Sequence, residues 1–348
     1  MAGRDARVAV GRRAHLALFD ATTLTARGVK DHLVGRSFPT ASVRLFSSTD
    51  DPGNNLTEFG GEAMLVTTPD IDALGALDIA FLCGTRREGE RYLDWAERRG
   101  FVAIDLTTAS NGRDDIPLVN AAVNPGSIPD RPRLIASPRP IAQFLSSLLA
   151  PAVRACGLVD ATGVVFQPAS GCGDPGIEEL YQQTVGLLNF REVPKSVFRR
   201  QLAFNLIPGS LYGADEAPGG GDPSALDREV RKVTGGDYRL SVEVVLAPIF
   251  HCHVALLQLT LAPGTGLAEL EAAFAASGEL ERCADGEGTT PIDRAGKPGI
   301  AVGGFRPARH PSSFWVWAVT DSMQSGAALN AVRIAEEILR RSGAEGTA

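Results

Sequence analysis

The chain has 348 residues, 44% of them hydrophobic and 22% charged, with a mean hydropathy near zero. That is material for two cores of ordinary size, and no apolar run approaches the roughly 20 residues of a bilayer span, so no membrane role is expected. With 34 basic against 41 acidic residues the net charge is -7, which offers no electrostatic footprint for nucleic acid or anionic lipid.

Met1 to Arg13 is charged and has neither an apolar core nor a small-residue cleavage site, so a cytoplasmic protein is expected. Short aliphatic runs follow at Leu16 to Phe19, Val43 to Phe46, Ile79 to Leu82, Val102 to Ile104 and Leu134 to Ala136, with helix-period segments such as Tyr92 to Arg99 between some of them. This alternation predicts a parallel, doubly wound α/β domain over the first 138 residues. Beyond Pro140 the strands lengthen. Val254 to Leu261 places Ala255, Leu257, Leu259 and Leu261 on one face and Gln258 and Thr260 on the other, which suits an antiparallel sheet covered on one side. Two helical stripes stand out, one through Ile177, Leu180, Thr184, Leu187 and Leu188, the other through Ala327, Ala331, Ile334, Ala335 and Ile338. The glycine content of Asp215 to Pro223 predicts a mobile loop, and that of residues 284 to 299 a surface excursion.

Cys83, Cys156, Cys172, Cys252 and Cys283 are widely spaced and form no C-x-x-C pair, which points to reduced thiols and against a disulfide framework or a zinc ribbon. His251, Cys252 and His253 invite a metal reading. Strand alternation would put the histidines on one face and the cysteine on the other, so no metal centre is expected. Asp20 is expected to cap or solvate the first helix, and Glu178 and Glu179 to match a helix dipole or to face water.

Four blocks carry a resemblance. Val165-Phe166-Gln167-Pro168-Ala169-Ser170-Gly171-Cys172-Gly173 contains an S-G-x-G loop preceded by glutamine, and Arg200-Gln201-Leu202-Ala203-Phe204-Asn205-Leu206-Ile207-Pro208 contains A-F-N-x-x-P. Ala247-Pro248-Ile249-Phe250-His251-Cys252-His253 leads from proline to histidine, and Asp321-Ser322-Met323-Gln324-Ser325-Gly326-Ala327-Ala328 reads as a helix start. Together these blocks resemble the aspartate-semialdehyde dehydrogenase family over nearly the whole chain. The resemblance implies a Rossmann-type domain formed by residues 1–138 with 321–348, and an α/β dimerisation domain, residues 139–320, with a mostly antiparallel sheet. A homodimer through the second domain follows. It also implies catalytic positions at His253 and Gln167, and a substrate pocket with Asn205, Ser170, Gly171 and Asn111. Cofactor-binding positions fall on Thr22, Thr23, Ser48, Gly84, Ser322 and Gly326, and the ligands in view are a small dicarboxylate or a dinucleotide.

The chain departs from that family at its reaction centre. The nucleophilic cysteine aligns with Pro140, or by a one-residue slip with Arg139 or Ile141, and none of these attacks carbon. The phosphate-holding arginine aligns with Asn111, the substrate-carboxylate arginine with Leu246, and a pocket lysine with Ala225. The glycine-rich dinucleotide loop aligns with Asp20-Ala21-Thr22-Thr23-Leu24-Thr25-Ala26, which has no glycine and puts a carboxylate near the phosphate oxygens. Ser48-Thr49-Asp50-Asp51 stands where the family places an arginine for a 2′-phosphate. The expectation is that no cofactor binds, with NAD preferred over NADP if one does. The chain most resembles family paralogues that lack the cysteine and keep R-Q-L-A-F-N, so the expected function is a dimeric binding or interaction protein without catalysis. The alternative is an NAD(P)-dependent oxidoreductase of amino-acid biosynthesis, acting on a small aldehyde or acyl substrate. There Cys172 would be a displaced nucleophile, His253 the base and Gln167 the orienting group, all on one cleft. Otherwise Cys172 is a small packed side chain, and His253 is hydrogen-bonded within its strand.

Overall fold

The computed structural model describes residues 13–48, 56–70, 74–98, 100–212, 223–283 and 289–345. Thr49 to Asp51, and the loop from Asp215 as far as Asp222, lie outside the described residues. The chain divides into two compact units, residues 1–137 with 327–348 and residues 138–326.

In chain order the first unit holds β1 (Ala14–Phe19), α1 (Leu24–Gly35), β2 (Thr40–Phe46), β3 (Leu56–Phe59), β4 (Glu62–Thr67), β5 (Ile79–Leu82), α2 (Arg86–Arg98), β6 (Val102–Asp105) and β7 (Leu134–Ala136). The second unit follows with α3 (Pro140–Cys156), β8 (Leu158–Gln167), α4 (Gly173–Leu188), β9 (Ile207–Pro208), α5 (Pro223–Thr234), β10 (Arg239–Leu246) and β11 (His253–Leu261). It continues with α6 (Leu267–Ala275), β12 (Leu280–Arg282), α7 (Pro291–Arg294), β13 (Ile300–Pro307), β14 (Ser313–Thr320) and α8 (Ser322–Ser325). The last helix, α9 (Ala327–Glu345), belongs to the first unit.

The first sheet runs β3-β4-β2-β1-β5-β6-β7, and every pair in it is parallel except the β3–β4 hairpin. Its central strands are apolar on both faces because both are covered. Leu16 and Leu18 enter a core shared with Ala26, Val29 and Leu33 of α1 and with Ala331, Ile334, Ala335 and Ile338 of α9. Phe19, on the opposite face, meets Tyr92 and Trp95 of α2 at 4.8 and 5.3 Å between ring centroids. The predicted parallel strands are therefore present, and the order reverses between β1 and β5. At such a reversal two loops part at the carboxyl ends of the strands and leave a crevice.

The second sheet runs β12-β13-β14-β11-β8-β10-β9 and is mixed, with β8–β10 and β12–β13 parallel and the other pairs antiparallel. Ala255, Leu257, Leu259 and Leu261 of β11 pack into one core with Leu145 and Leu148 of α3, Leu226 and Val230 of α5, and Leu270 of α6. That apolar face is thus covered within the chain.

Three local readings are corrected. The stripe on α4 marks its buried face only in part: Leu180 is buried and Leu187 packs against the same cluster, but Gly176, Glu179 and Gln183 are buried too, while Leu188 is exposed. Residues 284 to 299 are not all a surface excursion, because Arg294 of α7 is buried and its guanidinium reaches Glu281 at 2.5 Å. His251 and Cys252 precede β11 rather than alternate along it, and Cys252 has a left-handed φ of 75°.

Candidate active site

In the first unit the chain leaves β1 through Asp20, whose φ is 57°. Asp20 does not cap α1. Thr23 does, its hydroxyl oxygen accepting from the Ala26 N–H at 3.2 Å while the hydroxyl donates to the Cys83 carbonyl at 2.9 Å. The Asp20 carboxylate turns to the ends of the neighbouring strands and is only 6% exposed. Its Oδ1 accepts from the Ser48 N–H at 2.9 Å. The Ser48 hydroxyl donates to Glu88 at 3.0 Å, and the Thr85 N–H donates to Glu88 at 2.5 Å. Asp20 Oδ2 and Glu88 Oε2 converge above Gly84, where an added Cβ would lie 2.3 and 2.6 Å from them. Gly84 is therefore needed for the space it leaves. Burial pushes the Asp20 carboxyl above the usual carboxylate range, and the neighbouring Glu88 charge adds to this against the hydrogen bonds from Ser48 and the attraction of Arg91.

The structure thus brings together Thr23, Ser48 and Gly84 of the expected cofactor positions, with Thr22 beside them, its carbonyl accepting from Arg27 at 3.0 Å. Ser322 and Gly326 belong to the second unit, as the first residue of α8 and the residue that ends it. Asn111 closes a loop after β6 that is braced by Asp105. That buried carboxylate accepts from the Thr107 N–H at 2.7 Å, the Ser110 N–H at 2.9 Å and both hydroxyls at 2.5 Å. The Asn111 side-chain amide is buried and has no partner among the described residues.

In the second unit the register builds a row of side chains across the sheet end. Leu246 of β10 pairs with Gln167 of β8, His253 of β11 pairs with Thr320 of β14, and Gln167 and His253 lie one step beyond the Phe166–Val254 pair. Strand alternation places Gln167 and His253 on the face of Val165 and Ala255, the helix-covered one. The His253 ring stands 6.4 Å from Phe144 of α3, is 1% exposed, and its Nδ1 has no partner among the described residues. Burial alone drives its pKa down to about 4, so the imidazole is neutral at physiological pH.

After β8 the loop is pinned by the Ala169 and Ser170 N–H groups, which donate to Ile249 at 2.8 Å and Phe250 at 3.1 Å. Gly171 lets this loop lie against the Gln167 amide, since a Cβ there would fall 2.9 Å from its nitrogen. Cys172 hydrogen-bonds Gln167 and packs into the cluster of Leu180, Phe198, Leu202 and Leu246. Burial pushes its thiol up to about 12, the Gln167 hydrogen bond acting in the other direction. Gln167 therefore neighbours both Cys172 and His253, and the described interactions include none between the thiol and the imidazole. The expected thiol–imidazole pair is not formed. Asn205 is exposed and bonded within its own turn, to the Gln201 carbonyl and the Leu206 N–H, each at 2.9 Å.

At the start of α3, Pro140 occupies the first turn and Arg139 the N-cap. Glu229 of α5 accepts from the Arg139 N–H at 3.0 Å and from its Nε at 2.8 Å, so a buried carboxylate paired with Arg139 stands at that helix start. Sequence reasoning missed this pair, because nothing local links residues 90 positions apart.

Matches to known proteins agree with this anatomy. A family model described as the semialdehyde dehydrogenase dimerisation domain matches residues 149–323, and one described as the semialdehyde dehydrogenase NAD binding domain matches residues 21–130. The chain belongs to the semialdehyde dehydrogenase family. Its fold is that family's two-domain α/β arrangement, and the family comprises NAD(P)-dependent oxidoreductases. The chain is 26% identical to the aspartate-semialdehyde dehydrogenase of Rickettsia bellii over 341 residues, covering 94% of this chain and 98% of that one. It is 28% identical over 337 residues, with the same coverage, to the USG-1 protein homolog of Pseudomonas aeruginosa. The crystal structure of aspartate semialdehyde dehydrogenase II of Vibrio cholerae, complexed with ASA, superposes with a TM-score of 0.86 at 27% identity, covering 95% of this chain and 99% of that one.

The NAD-binding match corrects the expectation that no cofactor binds: a nicotinamide dinucleotide is the ligand to which the first unit corresponds. The crevice fits one in most respects. It lies at the order reversal, beside the capped start of α1, with the Ser48 hydroxyl at the end of β2. The exception is the Asp20 carboxylate.

Proposed function

We propose that this member of the semialdehyde dehydrogenase family is a nicotinamide-dinucleotide-dependent oxidoreductase acting on a small aldehyde, and that it works without a covalent thioester stage. The supporting observation is the row Leu246, Gln167 and His253 with the adjoining Ser170. It offers a buried amide, a neutral imidazole with an unpartnered Nδ1 and an unpartnered hydroxyl, and no charge of its own. Such donors suit a carbonyl oxygen that becomes more negative during reaction. A bound dinucleotide supplies or accepts the hydride. In the reducing direction hydride would add to the aldehyde carbon while its oxygen takes a proton from water, giving an alcohol; in the reverse direction hydride would leave the alcohol carbon as the C=O bond re-forms and the hydroxyl proton passes to water. His253, neutral and titrating near 4, holds the oxygen by a hydrogen bond and is a poor proton donor at pH 7.

Cys172 has no part in this step, since burial holds its thiol protonated and the neighbouring Glu179 charge acts in the same direction. A second reading, a dimeric binding protein without turnover, is favoured by one observation, the Arg139–Glu229 pair that closes the start of α3. The readings separate by nicotinamide absorbance with a panel of small aldehydes and both dinucleotides. Oxidoreductase function predicts turnover that falls roughly 10²-fold in Gln167→Ala and His253→Asn and persists in Cys172→Ala. Loss of turnover in Cys172→Ala would restore a covalent mechanism. Tight dinucleotide binding without turnover of any aldehyde would favour the binding protein.

A further inference from the structure

We propose that a dinucleotide enters the crevice of the first unit together with a proton, which is taken up by the Asp20 carboxyl. This rests on the dinucleotide reading above and is independent of the substrate. Three features of geometry lead to it. The left-handed turn at Asp20 directs its side chain across the strand ends, at the start of a 12-residue helix where an anionic pyrophosphate is ordinarily received. The Ser48 N–H fixes Oδ1, so Oδ2 is left above Gly84, facing Glu88 Oε2. Glu88 cannot withdraw, being held by the Thr85 N–H and the Ser48 hydroxyl. Two carboxylate oxygens thus converge on one point in the space that Gly84 leaves, and the Ser48 hydroxyl, which neighbours both carboxylates, has a single proton to give them. A phosphate brought to the same crevice adds a third negative group, and protonating one carboxyl relieves both repulsions.

The surrounding groups decide which carboxyl takes the proton. From α2, Glu88, Arg91 and Tyr92 face Asp20; Cys83 faces it from the end of β5, and Ser48 from the end of β2. Burial pushes Tyr92 up to about 12 and raises Cys83 as well, so both stay neutral over the working range. Burial also acts to raise Glu88, but its hydrogen bonds from Thr85 and Ser48 outweigh this and hold it below its usual range. Asp20 is the group already raised.

The sign follows from linkage. Below the pKa of Asp20 in the free protein, affinity is flat. Above it, up to the higher pKa of the complex, each pH unit weakens binding about tenfold. The test is calorimetric titration of the full chain with NAD, NADP and ADP-ribose from about pH 5.5 to 8.5, in two buffers of different ionisation heat, alongside Asp20→Asn. Asparagine keeps an acceptor for the Ser48 N–H and tolerates the left-handed φ, so the variant should fold. Expected are proton uptake approaching one per ligand in the native chain, an affinity that falls as pH rises, and a variant that binds more tightly at pH 8 with no such dependence. ADP-ribose should behave like NAD, because the pyrophosphate is the source. Native binding that is independent of pH and of buffer would overturn the proposal while leaving the dinucleotide reading intact. Failure of both proteins to bind at any pH would overturn both.

Discussion

A buried imidazole makes a protein sensitive to acid in a definite direction. The His253 pKa lies at about 4 against an ordinary value of 6.5, so the folded state resists a proton that the unfolded chain accepts. The stability this contributes is fully present above pH 6.5 and is lost as the pH falls from 6.5 towards 4. The full difference is roughly 3 kcal/mol. Urea unfolding at pH 7 and pH 4.5 of the native chain and of His253→Gln measures it. The native chain should lose about 2 kcal/mol more than the variant between the two conditions; parallel losses would mean that the ring is not buried neutral. At this scale the sequence was partly legible. The glutamine and histidine of the site could be picked out because they stand in recognisable blocks, and the register then places them side by side. Asp20 was misread as a helix cap because its side chain has two possible directions, and only the left-handed turn sends it to Ser48 and Glu88.

Among the elements, α4 shows how a polar stripe can be structural. Glu179 and Gln183, one turn apart, face the segment 194–203 rather than water. Glu179 accepts from the N–H groups of Ser196, Val197 and Phe198 at 2.6, 2.8 and 3.0 Å. Gln183 accepts from Leu202 and Ala203 at 2.6 and 3.0 Å and donates to the Pro194 and Arg200 carbonyls at 2.8 and 3.2 Å. The segment has almost no secondary structure of its own, so these two side chains take the place of a strand partner. Glu179→Ala should destabilise by roughly 2 kcal/mol, since it removes the buried carboxylate that accepts from three backbone N–H groups, the buried one of Phe198 among them, whereas Glu178→Ala on the exposed side should change stability by less than about 0.5 kcal/mol. Equal effects in chemical denaturation would refute this division. Nothing in the helix sequence distinguishes the two glutamates; only the fold of the segment that meets them does. The parallel strands, by contrast, were legible as β-branched and aliphatic runs, since burial on both faces leaves no room for alternation. The β3–β4 hairpin was missed because its strands are short and mostly exposed, with no strict alternation in β4, although Gly60-Gly61 between them is a turn signal.

For the molecule as a whole the open question is which surface meets a second copy, given that the second unit matches a dimerisation domain. The apolar face of β11 is spent on the chain's own helices. Several large apolar side chains of the second unit are exposed on and after α4. Tyr181, Val185 and Leu188 fall at helical spacing on α4, and Phe190, fully exposed, extends the stripe past its end. Phe204, Leu206 and Leu211 are exposed just beyond the segment that α4 clamps. A patch of this kind is unusual on a monomer and suits a self-complementary two-fold contact, in which each substitution acts twice. Leu188→Asp together with Phe190→Asp should therefore weaken dimerisation by at least about 10²-fold without lowering the stability of the unit, because neither side chain is buried within it. Gln258→Arg, on the outer face of β11, serves as the comparator. Light scattering over a dilution series should give twice the 36.7 kDa chain mass for the native protein and for Gln258→Arg, and the single-chain mass for the double variant. Dissociation by Gln258→Arg alone would move the interface to the sheet, and an undissociated double variant would remove α4 from it.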